Sequence, residues 1–187
     1  MVSELVCAGF GGQGVMLMGQ ILAYAAALEG KEATWFPSYG PEMRGGTANC
    51  QVVISEEPIT SPILSRPKAA IVLNKPSFQR FEPLVASGGY LFVNKSLVDE
   101  ESARTDIEVI AIPATDIAQE IGSIQVTNFV LLGAYIEKVR PVAFDSVEKI
   151  LEKVLTGAKA KFLPLNKEAL KRGREFVHQL QKNGGKS

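Results

Sequence analysis

The apolar run Leu5-Val6-Cys7-Ala8-Gly9-Phe10 has the length of a buried strand, and Gly11-Gly12-Gln13-Gly14 reads as the tight turn that ends it. From Val15 to Leu28 the apolar positions Val15, Met18, Ile21, Leu22, Ala25 and Leu28 recur at helical spacing until Gly30 stops them. The chain opens as strand, glycine turn, helix. Ala33–Phe36 and Asn49–Ile54 read as further strands, joined by a Gly/Pro-rich loop. Ala69–Asn74 and Gly89–Asn94 are nearly continuous apolar runs, the pattern of parallel strands covered on both faces. Between them, Ser77–Val85 places Phe78, Phe81, Leu84 and Val85 on one side of a short helix. Glu108–Pro113 is a last strand, followed by helices at Thr115–Ile121, Asn128–Val139, Ser146–Leu155 and, after the Pro164 break, Lys167–Lys182.

Strands alternating with helices predict an α/β fold: three layers, doubly wound, a mostly parallel sheet with helices on both faces and a Rossmann-like opening. At 187 residues, without repeat or low-complexity linker, residues 1–187 read as a single domain able to fold on its own core. Twenty Lys and Arg balance twenty Asp and Glu, so there is no basic excess to neutralise phosphates, and nucleic acid is not an expected partner. Zero net charge leaves little self-repulsion and suits a subunit of an assembly; for the isolated chain it leaves a homodimer open. No apolar run approaches the roughly 20 residues of a membrane span, and Met1–Leu5 lacks the basic start of a signal peptide. A cytoplasmic protein without membrane contact is expected. Cys7 and Cys50 are too far apart for a Cys-x-x-Cys motif and read as buried free thiols. An iron–sulfur cluster takes four cysteine ligands, so this chain cannot hold one alone.

Gly9-Phe10-Gly11-Gly12-Gln13-Gly14 fits G-x-G-x-x-G between strand and helix, where free amides and the helix dipole favour an anion. An NAD site would add a carboxylate at the end of the second strand, and that place holds Thr34-Trp35-Phe36-Pro37-Ser38. Two readings stay open: glycines that let the helix pack closely on the strand, or a seat for a phosphorylated ligand built from Gly11, Gly12, Gln13 and Gly14. Gly30-Lys31 and Gly185-Lys186 lack the earlier glycine of a P-loop. His178, beside Lys and Gln in the last helix, reads as a solvated surface residue rather than a catalytic or metal-binding one. The segment Phe36–Ala48 follows a strand end, where open α/β sheets place their crevice, and offers Ser38, Tyr39, Glu42, Arg44 and Thr47. Asn74 and Asn94 end buried strands, either lining that crevice or capping the turns that follow.

Gly9–Gly14, the block Ser38-Tyr39-Gly40-Pro41-Glu42-Met43-Arg44-Gly45-Gly46, and then Asn74–Phe78, Ile112–Thr115 and Asn128–Ala134 follow in order. In this the chain resembles the gamma subunit, or gamma domain, of 2-oxoacid:ferredoxin oxidoreductases over roughly residues 4–155. The loop wording looks most like the 2-oxoisovalerate or 2-oxoglutarate type; the gamma-like subunit of indolepyruvate oxidoreductase and a free-standing nucleotide-binding protein are the alternatives. The resemblance implies oxidative decarboxylation of a 2-oxoacid to acyl-CoA with electrons passed to ferredoxin, by a complex of which this chain is an inactive part when alone. It also implies alpha, beta and ferredoxin-like delta partners, with thiamine diphosphate, Mg and the iron–sulfur clusters on partner subunits. CoA would be the co-substrate, approached here by the Gly11–Gly14 turn with Ser38, Tyr39, Glu42, Arg44 and Asn74.

Overall fold

The computed structural model describes residues 2–39 and 46–184. Six strands, β1 (Val2–Phe10), β2 (Glu32–Tyr39), β3 (Thr47–Ser55), β4 (Ala69–Val72), β5 (Tyr90–Asn94) and β6 (Glu108–Ile112), form one sheet in the order β2-β3-β1-β4-β5-β6. β1, β4, β5 and β6 are parallel, and β3 runs against both β1 and β2. Five strands thus share a direction, as a mostly parallel sheet requires, and β3 is the exception. Its burial pattern matches that of β1 because a strand inside a sheet is covered on both faces whichever way it runs.

The six helices are α1 (Val15–Leu28), α2 (Lys75–Phe81), α3 (Ala114–Ile121), α4 (Thr127–Val139), α5 (Phe144–Val154) and α6 (Leu163–Gly184). They divide unequally between the faces. Leu5, Cys7, Ile71, Phe92, Ile110 and Ile112 pack under α1, α3, α4, α5 and α6. The alternate residues Val6, Ala8, Ala70, Val72, Leu91 and Val93 meet only Phe78 and Phe81 of α2 and the connecting residues Val85, Val98 and Ile107. α4 is buried from Thr127 through Glu137, lying between the sheet and α6, which it crosses at Gly133 and Gly173.

Several element boundaries differ from the sequence pattern, two of them at prolines. β2 runs on through Pro37 to Tyr39, so Ser38 and Tyr39 belong to a strand rather than to the loop. Gly11 N–H donates to the Gly46 carbonyl at 2.9 Å, continuing the β1–β3 ladder. Alternation from that pair makes Cys7 and Cys50 hydrogen-bond to each other's strand, so Pro37, opposite Cys50 in β2, has its missing N–H turned away from β3. An edge strand tolerates proline there. Likewise Pro164 does not break a helix but sits in the first turn of α6, where no intrahelical N–H is lost.

Glu137, 6% exposed, ties α4 to α6 by accepting from His178 Nε2 at 2.7 Å and Arg174 Nε at 3.0 Å, with Arg140 Nη2 at 3.4 Å. His178 is therefore a half-buried hydrogen-bond partner of Glu137, not a freely solvated residue; its own helix neighbours could not reveal a carboxylate on α4. Burial alone would raise the Glu137 carboxyl, but the His178 hydrogen bond, the charges of His178 and Arg174 and the Arg140 bond outweigh it and hold it below its ordinary value. A depressed folded-state value adds stability above the unfolded value, lost as the pH falls through the folded one. Glu137→Gln should cost about 1.5–3 kcal/mol near neutral pH. In paired urea melts the gap should close below about pH 4; a gap that persists there would show that packing, not charge, is involved.

Candidate functional site at the carboxyl ends of the strands

Phe10, Val72, Asn94 and Ile112 end their parallel strands on one edge of the sheet. From β1 the chain crosses by α1 to the β2–β3 side, while from β4 it moves the other way to β5 and β6. The crevice of such a sheet opens where the winding reverses, between the ends of β1 and β4. The glycine turn sits there. Gly12 (φ 98°) and Gly14 (φ 74°) are both in the left-handed region that L side chains avoid, and Gln13 N–H closes the turn on the Phe10 carbonyl at 3.1 Å.

Two of the predicted site residues spend their side chains inside the protein. Gln13 Oε1 accepts from Phe10 N–H at 2.6 Å and from Asn74 Nδ2 at 3.0 Å, and Asn74 Oδ1 accepts from Ser77 N–H at 3.0 Å, capping α2. Asn94, fully buried, donates to the Leu73 carbonyl and to Thr115 Oγ1 and accepts from Thr115 N–H, fastening the start of α3 to β5. Asn74 caps the turn that follows it, its alternative reading, whereas the Asn94 side chain reaches Leu73 and Thr115 rather than the turn after β5. Asn74, through Gln13, braces the turn from behind, across the switch point.

What the crevice presents is backbone. α1 begins at Gly14 with no side-chain cap and no acidic residue in its first turn, leaving its first N–H groups without intrahelical acceptors. Gly14 O in turn accepts from Asn128 Nδ2 at 3.2 Å. That bond brings in the start of α4, which continues from a 3-10 turn, Ile124–Val126, capped by the Ser123 side chain, with the Thr127 N–H donating to the Ile124 carbonyl. Asn128 is 2% exposed, and its Oδ1 has no partner among the described residues. The positive end of α1 therefore lies beside a cleft of 190 Å³, whose lining of Gly12, Gln13, Leu73, Leu97, Thr115, Ile124, Gln125 and Thr127 carries no charged side chain. Ile124 (62% exposed) and Leu97 (49%) give it an apolar rim. Larger clefts lie elsewhere, one of 520 Å³ between α5 and α6 among them, but it is lined by charged side chains of those helices and lies off the strand ends.

Gly11, Gly12, Gln13, Gly14 and Asn74 thus come together. Ser38 and Tyr39 end β2 on the same edge but with β3 between them and the turn. Glu42 and Arg44 lie outside the described residues. The ribose-gripping position of an NAD site is doubly missing, since β2 ends without a carboxylate and does not neighbour β1. Sequence reasoning missed Thr115, Gln125 and Thr127 as lining and Asn128 as the link between the helix ends. An asparagine opening an otherwise apolar helix is the one signal that could have flagged Asn128. The arrangement offers no nucleophile with a base. Among the described residues no three His, Cys, Asp or Glu side chains group around a metal position. It is equipped to bind an anion.

Residues 4–176 match the pyruvate ferredoxin/flavodoxin oxidoreductase family. The chain belongs to that family. Among its relatives it is 35% identical over 173 residues to the ketoisovalerate oxidoreductase subunit VorA of Methanothermobacter thermautotrophicus, covering 92% of this chain but 36% of that one. It therefore spans about a third of the length of that longer relative. Against the 2-oxoglutarate synthase subunit KorC of Methanocaldococcus jannaschii the identity is 38% over 184 residues, with 96% of each covered. The crystal structure of the keto/oxoacid ferredoxin oxidoreductase gamma subunit from Geobacter sulfurreducens superposes with a TM-score of 0.82 at 29% identity, covering 95% of this chain and 99% of that one. In this family member no described helix is long and apolar enough to cross a membrane.

Proposed function

We propose that the chain is the gamma subunit of a multi-subunit 2-oxoacid:ferredoxin oxidoreductase that converts a 2-oxoacid of the 2-oxoisovalerate or 2-oxoglutarate class to acyl-CoA, and that its crevice seats a phosphate of CoA. Full-length similarity to the KorC subunit and the Geobacter gamma subunit supports the first part. The observation that carries the second is the uncapped N-terminus of α1 at an uncharged cleft. The free backbone N–H groups of α1 and its dipole favour a phosphate there without a lysine or arginine from the described residues. Leu97 and Ile124 suit the aliphatic part of such a ligand or a neighbouring subunit.

The chain brings no carbanion chemistry of its own. Its two cysteines, Cys7 and Cys50, are both buried and lie opposite each other in β1 and β3, which does not fit a cluster needing four thiolates. Thiamine diphosphate, Mg and the clusters are assigned to the alpha, beta and delta partners, with ferredoxin as acceptor and the cytoplasm as location. Anaerobic purification of the tagged chain from its host should recover larger subunits and CoA-dependent reduction of a viologen dye by 2-oxoacids. A lone chain without that activity would overturn the subunit assignment. Separately, CoA at a hundredfold over its Kd should stabilise the isolated chain by about 2.7 kcal/mol; an unmoved melting temperature at millimolar CoA would reduce the crevice to a packing device.

A further inference from the structure

We propose that two copies of this chain join through the outer edge of β6, so that one sheet runs through both. The ladder decides which groups that edge presents. Glu108 N–H donates to the Gly89 carbonyl at 2.9 Å, and Lys95 N–H donates to the Ile112 carbonyl at 2.7 Å. In a parallel ladder this spends the backbone groups of Glu108, Ile110 and Ile112 on β5. Val109 and Ala111 turn theirs outward, and among the described residues nothing bonds to them.

Their side chains are uncovered as well. Val109 is 37% exposed and Ala111 is exposed, whereas Ile110 and Ile112, on the helix-rich face, are buried. The crossover from Asn94 to Glu108 forms no helix to lie over them. It is drawn along α2 instead: Gln79 Nε2 donates to Glu100 at 2.7 Å, and Arg104 Nη1 donates to the Glu82 and Val85 carbonyls at 2.9 and 2.7 Å. A groove of 260 Å³ is left open, with Phe78, Val93, Val109 and Ala111 as its apolar lining and Lys95, Glu100, Glu101 and Ser102 of the crossover as its rim.

The edge is complementary to itself. Placed antiparallel about a twofold axis at Ile110, each copy sets Val109 opposite Ala111 of the other, and both pairs exchange two hydrogen bonds. Glu108, the strand's only charged residue, lies opposite Ile112 there and is already held by Lys138 at 2.7 Å. No like charges meet within the paired strands, and zero net charge adds no repulsion at longer range. The other edge of the sheet is blocked: of the residues β2 turns outward, Ala33, Trp35, Pro37 and Tyr39, the proline supplies no N–H. Association thus closes at a pair instead of growing strand by strand.

With five residues on each side the interface is small, and the Kd should be about 10–100 µM. Sedimentation equilibrium of the full chain should show the monomer giving way to a dimer across that range, and amide exchange at Val109 and Ala111 should slow with it. Ala111→Pro should raise the Kd at least about tenfold with the melting temperature nearly unchanged, since its N–H bonds nothing among the described residues and Pro37 already occupies such a place on β2. A chain still monomeric at about 500 µM would overturn the proposal. So would a folded Ala111→Pro variant that dimerises like the parent, or slowed exchange at Trp35 instead of Val109 and Ala111. Protection of Val109 and Ala111 that appears only when larger subunits are bound would give the edge to one of them and overturn it equally.

Discussion

Gly173→Val is expected to destabilise the fold by about 3 kcal/mol or more, seen as a lower urea midpoint at unchanged slope. α4 and α6 cross so closely that a Cβ on Gly173 would overlap the Val130 carbonyl oxygen, and one on Gly133 the Leu170 carbonyl oxygen. Side chains can rotate out of such an overlap, but helix backbone cannot. The helices must part, and the buried layer of Leu131, Leu170 and Val177 loses contact. The expected loss exceeds the roughly 1 kcal/mol of helix propensity gained by replacing a glycine. Gly133→Val should do the same, and the double substitution should cost less than the sum, because parting the helices once makes room for both. A loss below about 1 kcal/mol for either single variant would mean that the crossing is slack.

Gly14→Ala and Gly12→Ala should separate strain from collision. Both glycines hold left-handed backbone, which costs an L residue about 1–2 kcal/mol. A Cβ on Gly12 meets nothing within 4 Å, whereas one on Gly14 overlaps Asn128 Nδ2. Gly12→Ala should show the strain alone. Gly14→Ala should cost roughly twice as much and break the bond that joins the two helix ends. In the assembled complex it should raise the apparent KM for CoA about tenfold with subunit stoichiometry intact. Equal stabilities for the two variants would remove Asn128 from the account of the site.

The glycine turn, α1 and the parallel strands were legible because their signals are local: an apolar run, a turn and a helical stripe. The direction of β3 was hidden, since Cys50, Val52 and Ile54 would be buried whichever way the strand ran. The path of β2 through Pro37 depends on which side of the strand faces β3, a matter of register that no single segment encodes. At the site, the motif located the turn but reversed the roles of its side chains. Gln13 and Asn74 look like ligands in the sequence because they are polar at strand ends, yet each finds its partner within the fold. Asn128 reaches Gly14 across 114 positions of chain, beyond any spacing rule.

Among the described elements β1 precedes every other strand in the chain and lies in the interior of the sheet, between β3 and β4. Neither neighbour exists until much more of the chain has left the ribosome, so Leu5–Ala8 must wait with its backbone groups unpaired and its apolar residues uncovered. Non-local pairings of this kind close late and slowly, and an unpaired apolar strand invites association with other chains in the interval. The arrangement that puts the glycine turn at the switch point thus leaves β1 in need of chaperone cover until its two neighbours have emerged.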